Sequence, residues 1–313
     1  MTSASEHTQA GPVFGSGALL VLAGGILIGL APIGLRLGLN DLGPQAIAFW
    51  RFFFAIPMAL ALVLLIKRRP PQKPDRFIIL AALFFALDIA LWHAALSMTS
   101  VANATFLVNL GNIGAGFVAW IFLREQPRPI WFIAVMFAIF GAAALSLGGN
   151  SVSNAVNSLS GDVLAIGAAL LVACYMVTAK IGRRTLSGID AIFWLCVFEA
   201  FFAAIVVLIT GERFLPASAA GFAAPLFLAI AVQIGGQGLI IAGLGHTSAA
   251  VAGVVVIIQP VVAAIISWRL FGEILLPMQL IGCAMIIVAI IVAQLAPGSR
   301  GAKLSQSDAK AAN

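Results

Sequence analysis

Ten runs of about twenty predominantly apolar residues divide this chain, and nearly all of its charge falls between them. They cover residues 15–35, 44–66, 77–97, 101–122, 129–147, 161–180, 189–210, 219–241, 248–270 and 277–296. A run of that length is what an α-helix needs to cross the hydrocarbon of a bilayer, where each backbone N–H and C=O must be paired inside the helix. The chain therefore reads as an all-α integral membrane protein with ten transmembrane helices. Composition points the same way. With 62% hydrophobic and only 9% charged residues, there is too little charge to clothe a water-soluble surface.

The basic residues orient the bundle. Lys67, Arg68, Arg69, Lys73, Arg76, Arg124, Arg128, Lys180, Arg183, Arg184, Arg300, Lys303 and Lys310 fall on one side, thirteen in all. Arg36, Arg213 and Arg269 fall on the other, and Arg51 lies within the second span. Basic loops stay on the cytoplasmic side of a membrane. Both termini are then expected in the cytoplasm, as tails 1–14 and 297–313, with the protein in the cell inner (plasma) membrane. No basic segment opens the chain, so the first span is expected to act as an uncleaved anchor. The net charge of +6 is loop charge and does not point to nucleic acid.

The second half repeats the first. At an offset of 144, Phe49-Trp50 falls on Phe193-Trp194, Arg36 on Lys180 and Gly17 on Gly161. At an offset of 148, Thr99-Ser100 falls on Thr247-Ser248, Glu125 on Glu273 and Pro129 on Pro277. Each copy holds five spans, and five is odd, so the second copy enters the membrane upside down. The expected units are a first repeat over 15–147 and an inverted second repeat over 161–296. Inverted repeats recur in secondary transporters, where two halves meet near the midplane and open alternately to either side.

The residues Ala94-Ala95-Leu96, Thr99-Ser100-Val101-Ala102 and Leu123-Arg124-Glu125 resemble the EamA repeat. So do Gly243-Leu244, Thr247-Ser248-Ala249-Ala250, Pro260 and Phe271-Gly272-Glu273, and the early Phe49-Trp50-Arg51-Phe52. EamA repeats belong to the drug/metabolite transporter superfamily. The resemblance implies a cavity lined by spans 3, 4, 8 and 9 with parts of 1 and 6. It also implies export of small metabolites. Similar proteins carry amino acids (aromatic ones in YddG-type members), nucleosides or drugs. The family tends to place a proline 13 residues before each glutamate. The second copy has Pro260 there, but the first has Asn112.

Polar groups at membrane depth mark candidate sites, because lipid does not solvate them. Thr105, Asn109 and Asn112 share one helical face, as do Gln233 and Gln237, and Asp88 and Trp92. Each pair or trio reads either as cavity lining or as interhelical hydrogen bonding. Tyr175, the only tyrosine, leans towards the cavity. His93 stands open between a packing residue and a ligand contact. Gln259, beside Pro260, is a candidate contact. Pro32 and Pro260 are candidate kinks for gating. Asp88 and Glu199 are candidate ion-coupling acids; Asp88 reads equally as a structural partner of Arg51, and Glu199 sits on a span expected at the periphery. Gly25/Gly29 and Gly34/Gly38 read as packing seams, and Trp120, Trp131 and Trp268 as interfacial belt residues.

No phosphate-binding loop, HExxH or GxSxG motif occurs, and His7, His93 and His246 lie far apart. No cofactor, metal or catalytic residue is expected. A membrane-embedded enzyme and a non-transporting scaffold or sensor are the rival classes. The first would need clustered nucleophiles, the second a large soluble domain. The expected partners are a small-molecule substrate and the lipid bilayer. Nothing specifies an oligomer, and a monomer is consistent with the architecture. Amides, Trp92, Tyr175 and one or two acids suit a zwitterion with an apolar side chain, hence amino acids as cargo.

Overall fold

The computed structural model describes residues 16–99, 101–147, 159–272 and 275–295. Ser100, Glu273 and the two tails lie outside them. Ten membrane-length helices appear: α1 Ser16–Gly38, α2 Pro44–Lys67, α3 Arg76–Leu96, α4 Val101–Leu123, α5 Pro129–Ser146, α6 Leu159–Gly182, α7 Gly188–Thr210, α8 Ala219–Leu244, α9 Ala249–Phe271 and α10 Pro277–Gln294. The described residues contain no strand. Large apolar side chains such as Leu170, Leu208, Ile209 and Phe122 stand exposed on the outer faces, where lipid is their solvent.

The ten helices form two inverted five-helix repeats, and the packing follows that symmetry. α1 packs on α8 and α9, and α6 packs on α3 and α4. α3 meets α7 as α8 meets α2, while α2–α7, α4–α9 and α5–α10 pair across the axis. Exchanging each helix for the one five later leaves this set of neighbours unchanged. Details repeat as well. A Cβ at Gly17 would lie 2.8 Å from His246 Cβ, and one at Gly161 would lie 2.9 Å from Met98 Cβ. α4 ends on Arg124 with φ 55°, and its counterpart α9 ends on Gly272 with φ 67°. α1 and α6 each cross to the opposite half, so the two sequence repeats are interleaved rather than side by side.

Two helices are broken where proline requires it. α1 is interrupted after Ile28, and Pro32 cannot donate to the Ile28 carbonyl. α9 is interrupted at Ile257, and Pro260 cannot donate to the Val256 carbonyl. α4 runs unbroken, with Asn112 at the position equivalent to Pro260. α8 contains a π-helical stretch, Leu228–Gln237, an over-wide turn that the sequence pattern did not announce.

Small residues let backbones touch. The Gly25/Gly29 seam lies against Ile258 and Val262 of α9, and Gly34/Gly38 lie against Leu228 and Ile47. A Cβ at Gly111 would stand 2.2 Å from the Ala169 carbonyl oxygen, and one at Gly253 would stand 1.9 Å from that of Asn112. Trp120 and Trp268 are exposed, as belt residues should be. Trp131 is not a belt residue: it is 1% exposed and donates from Nε1 to the Ala250 carbonyl at 2.9 Å. Gly111→Val should lower the thermal midpoint in detergent by several degrees, since overpacking costs about 1–3 kcal/mol. Gly114→Ala is the control, because its Cβ would sit 3.5 Å from Ala173 Cβ in ordinary contact and the midpoint should hold.

Candidate functional site

A cavity of about 160 Å³ lies within the bundle. Ile28, Gly29, Ala31 and Pro32 of α1 and Val256, Gln259, Pro260 and Ala263 of α9 form part of its wall, so both proline breaks face it. α4 contributes Thr105, Val108, Asn109 and Asn112. α3 adds Phe85, Asp88, Ile89 and Trp92, and α6 adds Val172, Tyr175 and Met176. Gln237 and Ile240 come from α8, and Arg51 from α2.

Ten of the residues singled out in the sequence therefore meet in one place: Pro32, Asp88, Trp92, Thr105, Asn109, Asn112, Tyr175, Gln237, Gln259 and Pro260. His93 and Gln233 do not line the cavity. His93 is buried beside Trp92, with ring centroids 5.3 Å apart, because one residue along a helix turns its side chain about 100° away. Gln233 lies one layer behind the wall. Arg51 also lines the cavity, although the sequence offered it only as a partner for Asp88. Its signal was its type, since it is the one basic residue well inside a span.

The polar stripe of α4 bonds along its own helix. Asn109 Nδ2 donates to the Thr105 carbonyl at 2.8 Å, and Asn112 Nδ2 to Asn109 Oδ1 at 3.3 Å. Asp88 does not take Arg51 as a hydrogen-bond partner. Arg51 Nε donates instead to Gln233 Oε1 at 2.9 Å. Gln233 Nε2 donates to Glu199 Oε2 at 2.6 Å, and Gln237 Nε2 to Glu199 Oε1 at 2.7 Å. Gln237 Nε2 also donates to the Tyr175 hydroxyl oxygen at 2.9 Å. Glu199 is fully buried at the centre of this network, so the expectation of a peripheral acid is corrected. One face of α7 meets lipid, but the face carrying Glu199 packs inward on its neighbours.

Buried polar atoms are normally paired, and those at the cavity are not all paired. Asp88 Oδ1, Trp92 Nε1 and Gln237 Oε1 have no partner. Among the described residues Arg51 makes only its one hydrogen bond, which leaves its two terminal nitrogens without a protein partner. Residues of the wall thus carry unmatched donors (Arg51, Trp92) and unmatched acceptors (Asp88, Gln237) among apolar and aromatic side chains.

The two ends of the bundle differ. At the end carrying the basic loops, Lys180 Nζ lies 3.0 Å from Glu125 Oε1 and donates to the Thr247 carbonyl at 2.5 Å. Glu125 Oε2 accepts from Ala249 N–H at 3.3 Å. α4, α6 and α9 are tied there, and Gly253 touches Asn112 directly. The repeat maps that contact onto Thr105 and Pro260, and both of these line the cavity instead.

An all-helical bundle of inverted repeats around a central cavity with broken helices is a transporter architecture. The EamA-like transporter family model matches residues 15–147 and 159–294, and the chain belongs to that family. It is similar to the uncharacterized transporter YwfM of Bacillus subtilis (strain 168), 23% identical over 70% of this chain and 73% of that one. YetK of the same organism, also an uncharacterized transporter, is 24% identical over 87% and 81%. The uncharacterized inner membrane transporter YhbE of Escherichia coli (strain K12) is 26% identical over 58% and 59%. One crystal structure shares the fold with a TM-score of 0.77 at 16% identity, covering 90% of this chain and 98% of its own.

Tyr175→Phe should cost about 1 kcal/mol, because Gln237 keeps Glu199 as a partner. Gln237→Leu takes a donor from both Glu199 and Tyr175 and should cost more, about 1–3 kcal/mol. Thermal unfolding of the purified variants in detergent ranks them.

Proposed function

We propose that this protein exports small metabolites by alternating access around the mid-bundle cavity, driven by a gradient of substrate or coupling ion, and that amino acids with neutral or aromatic side chains are the favoured cargo. One observation carries the choice of cargo. A guanidinium with free donors and a carboxyl with a free oxygen share a cavity whose remaining wall is apolar and aromatic. A zwitterion with an apolar side chain would satisfy both. YddG-type members of the superfamily, whose repeat this chain resembles, carry such cargo. A phosphorylated substrate would call for several deep basic residues, and Arg51 stands alone at that depth. Export of an amine-bearing drug is a second reading. It draws on Asp88 with Phe85, Trp92 and Tyr175 and leaves Arg51 unused.

The asymmetry of α4 and α9 supports alternation. The basic end is shut by Gly253 against Asn112 and by Lys180 with Glu125. The equivalent contact of Thr105 with Pro260 would shut the far end, and making one while breaking the other would move the barrier across the cavity. Asp88, which lines the cavity, is the acid suited to respond to a coupling proton. By the distribution of basic loops, the shut end and both termini are cytoplasmic.

The test is efflux from liposomes preloaded with labelled amino acids, nucleosides and amine drugs, with and without a pH gradient. Saturable efflux of neutral or aromatic amino acids, lost in Asp88→Asn, Asn112→Ala and Gln259→Ala, is the expected result. Efflux of amines alone favours the second reading, and no change in correctly folded variants removes these residues from the site. For the gate, Glu125→Lys should slow efflux roughly tenfold or more, the scale of losing a partly buried charge pair. Adding Lys180→Glu should restore most of the rate. A double variant as slow as the single one would show that the pair does not close the end.

A further inference from the structure

We propose that Arg51 is the carboxylate-binding residue of the cavity and that Glu199, one layer behind the wall, is its positioning residue, acting through Gln233. This rests on the amino-acid reading above and deepens it.

Hydrogen-bond chemistry carries the argument. Both oxygens of Glu199 accept, one from Gln233 and one from Gln237. A carboxylate presents acceptors only, whereas an amide has one accepting and one donating end. Each glutamine must therefore turn its nitrogen to Glu199 and its oxygen away. The Gln233 oxygen is then held where it accepts from Arg51 Nε. Arg51 is fixed by the inner edge of its guanidinium, and its two terminal nitrogens remain for a ligand in the fork geometry that suits a carboxylate. Gln233 and Glu199 are both fully buried, so water does not substitute for this relay. Phe52 and Phe85 lie 5.2 and 5.8 Å from the Arg51 guanidinium and restrict its swing.

The same orientation leaves Gln237 Oε1 without a partner at the cavity, as Asp88 Oδ1 is. Both are acceptors suited to an ammonium. The site would therefore read both charged groups of an amino acid, with Arg51 on the carboxylate and Asp88 with Gln237 on the ammonium. Besides Asp88 and Glu199, the titratable groups near Arg51 are His93, buried beside Trp92, and two others: Tyr175, which accepts from Gln237, and Cys196, which lies 3.8 Å from Gln233 Nε2. None of the three is a carboxylate that would compete for its terminal nitrogens.

The relay occurs in one repeat only. At the repeat offsets Arg51 corresponds to Leu195, Glu199 to Ala55, Gln233 to Phe85 and Gln237 to Ile89. Symmetric packing does not require these polar residues, so they answer to something other than the fold.

The experiment is competition against labelled phenylalanine in proteoliposomes, using phenylalanine, phenethylamine (no carboxylate) and hydrocinnamate (no ammonium). Wild type should prefer phenylalanine to either analogue by at least about tenfold, as expected for a site built to pair both groups. Glu199→Gln is isosteric but has a donating end, which forces one glutamine to turn over. It should raise the KM for phenylalanine about tenfold with Vmax little changed, a shift typical of a lost charge-assisted hydrogen bond. Phenethylamine should compete as in wild type, which also shows that the variant is folded. Gln233→Met deletes the relay without touching either charge and should do the same. A folded variant that keeps the wild-type preference for phenylalanine overturns the inference and leaves the amino-acid reading standing. So does a wild type that binds phenethylamine as well as phenylalanine. If neither variant binds phenethylamine, the network is structural and the inference falls. A wild type that binds no phenylalanine sinks both.

Discussion

In lipid an apolar side chain gains nothing by turning inward, so the bundle depends on close approach of backbones. Besides Gly253 on Asn112, close approaches lie at small residues: Gly24 against the Gly236 carbonyl, Gly243 against that of Gly17, Gly111 against that of Ala169, and Gly282 against that of Gly141. These contacts bind α1 to α8, α4 to α6 and α5 to α10. They also explain the interleaving of the two repeats. Gly24, Gly25, Gly29 and Gly34 of α1 face α8 and α9 of the other half, so each half is completed by a helix from its partner.

Against that symmetric frame, two features break the symmetry. The first is mechanical. α4 and α9 touch at Asn112 and Gly253 and part at Thr105 and Pro260, although the repeat makes these equivalent. A symmetric sequence could settle with either end shut. Here the difference is local: α9 is interrupted at Ile257, ahead of Pro260, while α4, with Asn112 in the equivalent place, runs unbroken and keeps an amide at the cavity. The second is chemical. The hydrogen-bonded network of Arg51, Gln233, Glu199, Gln237 and Tyr175 belongs to one orientation of the repeat. Its counterparts are apolar.

The ten spans were legible because hydrocarbon thickness and helical rise set a length that hydropathy reveals. The repeat was legible from two offsets, and the cavity candidates from polar residues that lipid would otherwise exclude. What stayed hidden depends on the absolute rotation and tilt of each helix. Helical periodicity fixes Asp88 and Trp92 on a common face and His93 off it, but it does not say which face turns inward. For the same reason Trp131 read as interfacial, whereas α5 rotates it onto Ala250. Glu199 read as peripheral because the middle of α7 is apolar all round, with Glu199, its one mid-span acid, on the inner side. The π-helical turn of α8 had only Gly235-Gly236 to hint at it. That widened stretch carries Gln233 and Gln237, the two amides that converge on Glu199.

The network also spans the two groups that alternation would separate. α1, α8 and α9 pack together, as do α3, α4 and α6. The hydrogen bond from Gln237 to Tyr175 passes from one group to the other, and Tyr175 lies against Phe85 of α3 at 4.7 Å between centroids. A ligand held by Arg51 and Asp88 would sit on the same divide, since α2 contacts α8 while α3 belongs to the second group. Such a ligand bonds to both bodies at once, and so its binding energy depends on how far apart they stand. That dependence is what lets a small molecule bias a movement of whole helices, because a ligand shifts a conformational equilibrium only through a difference in its affinity for the two states.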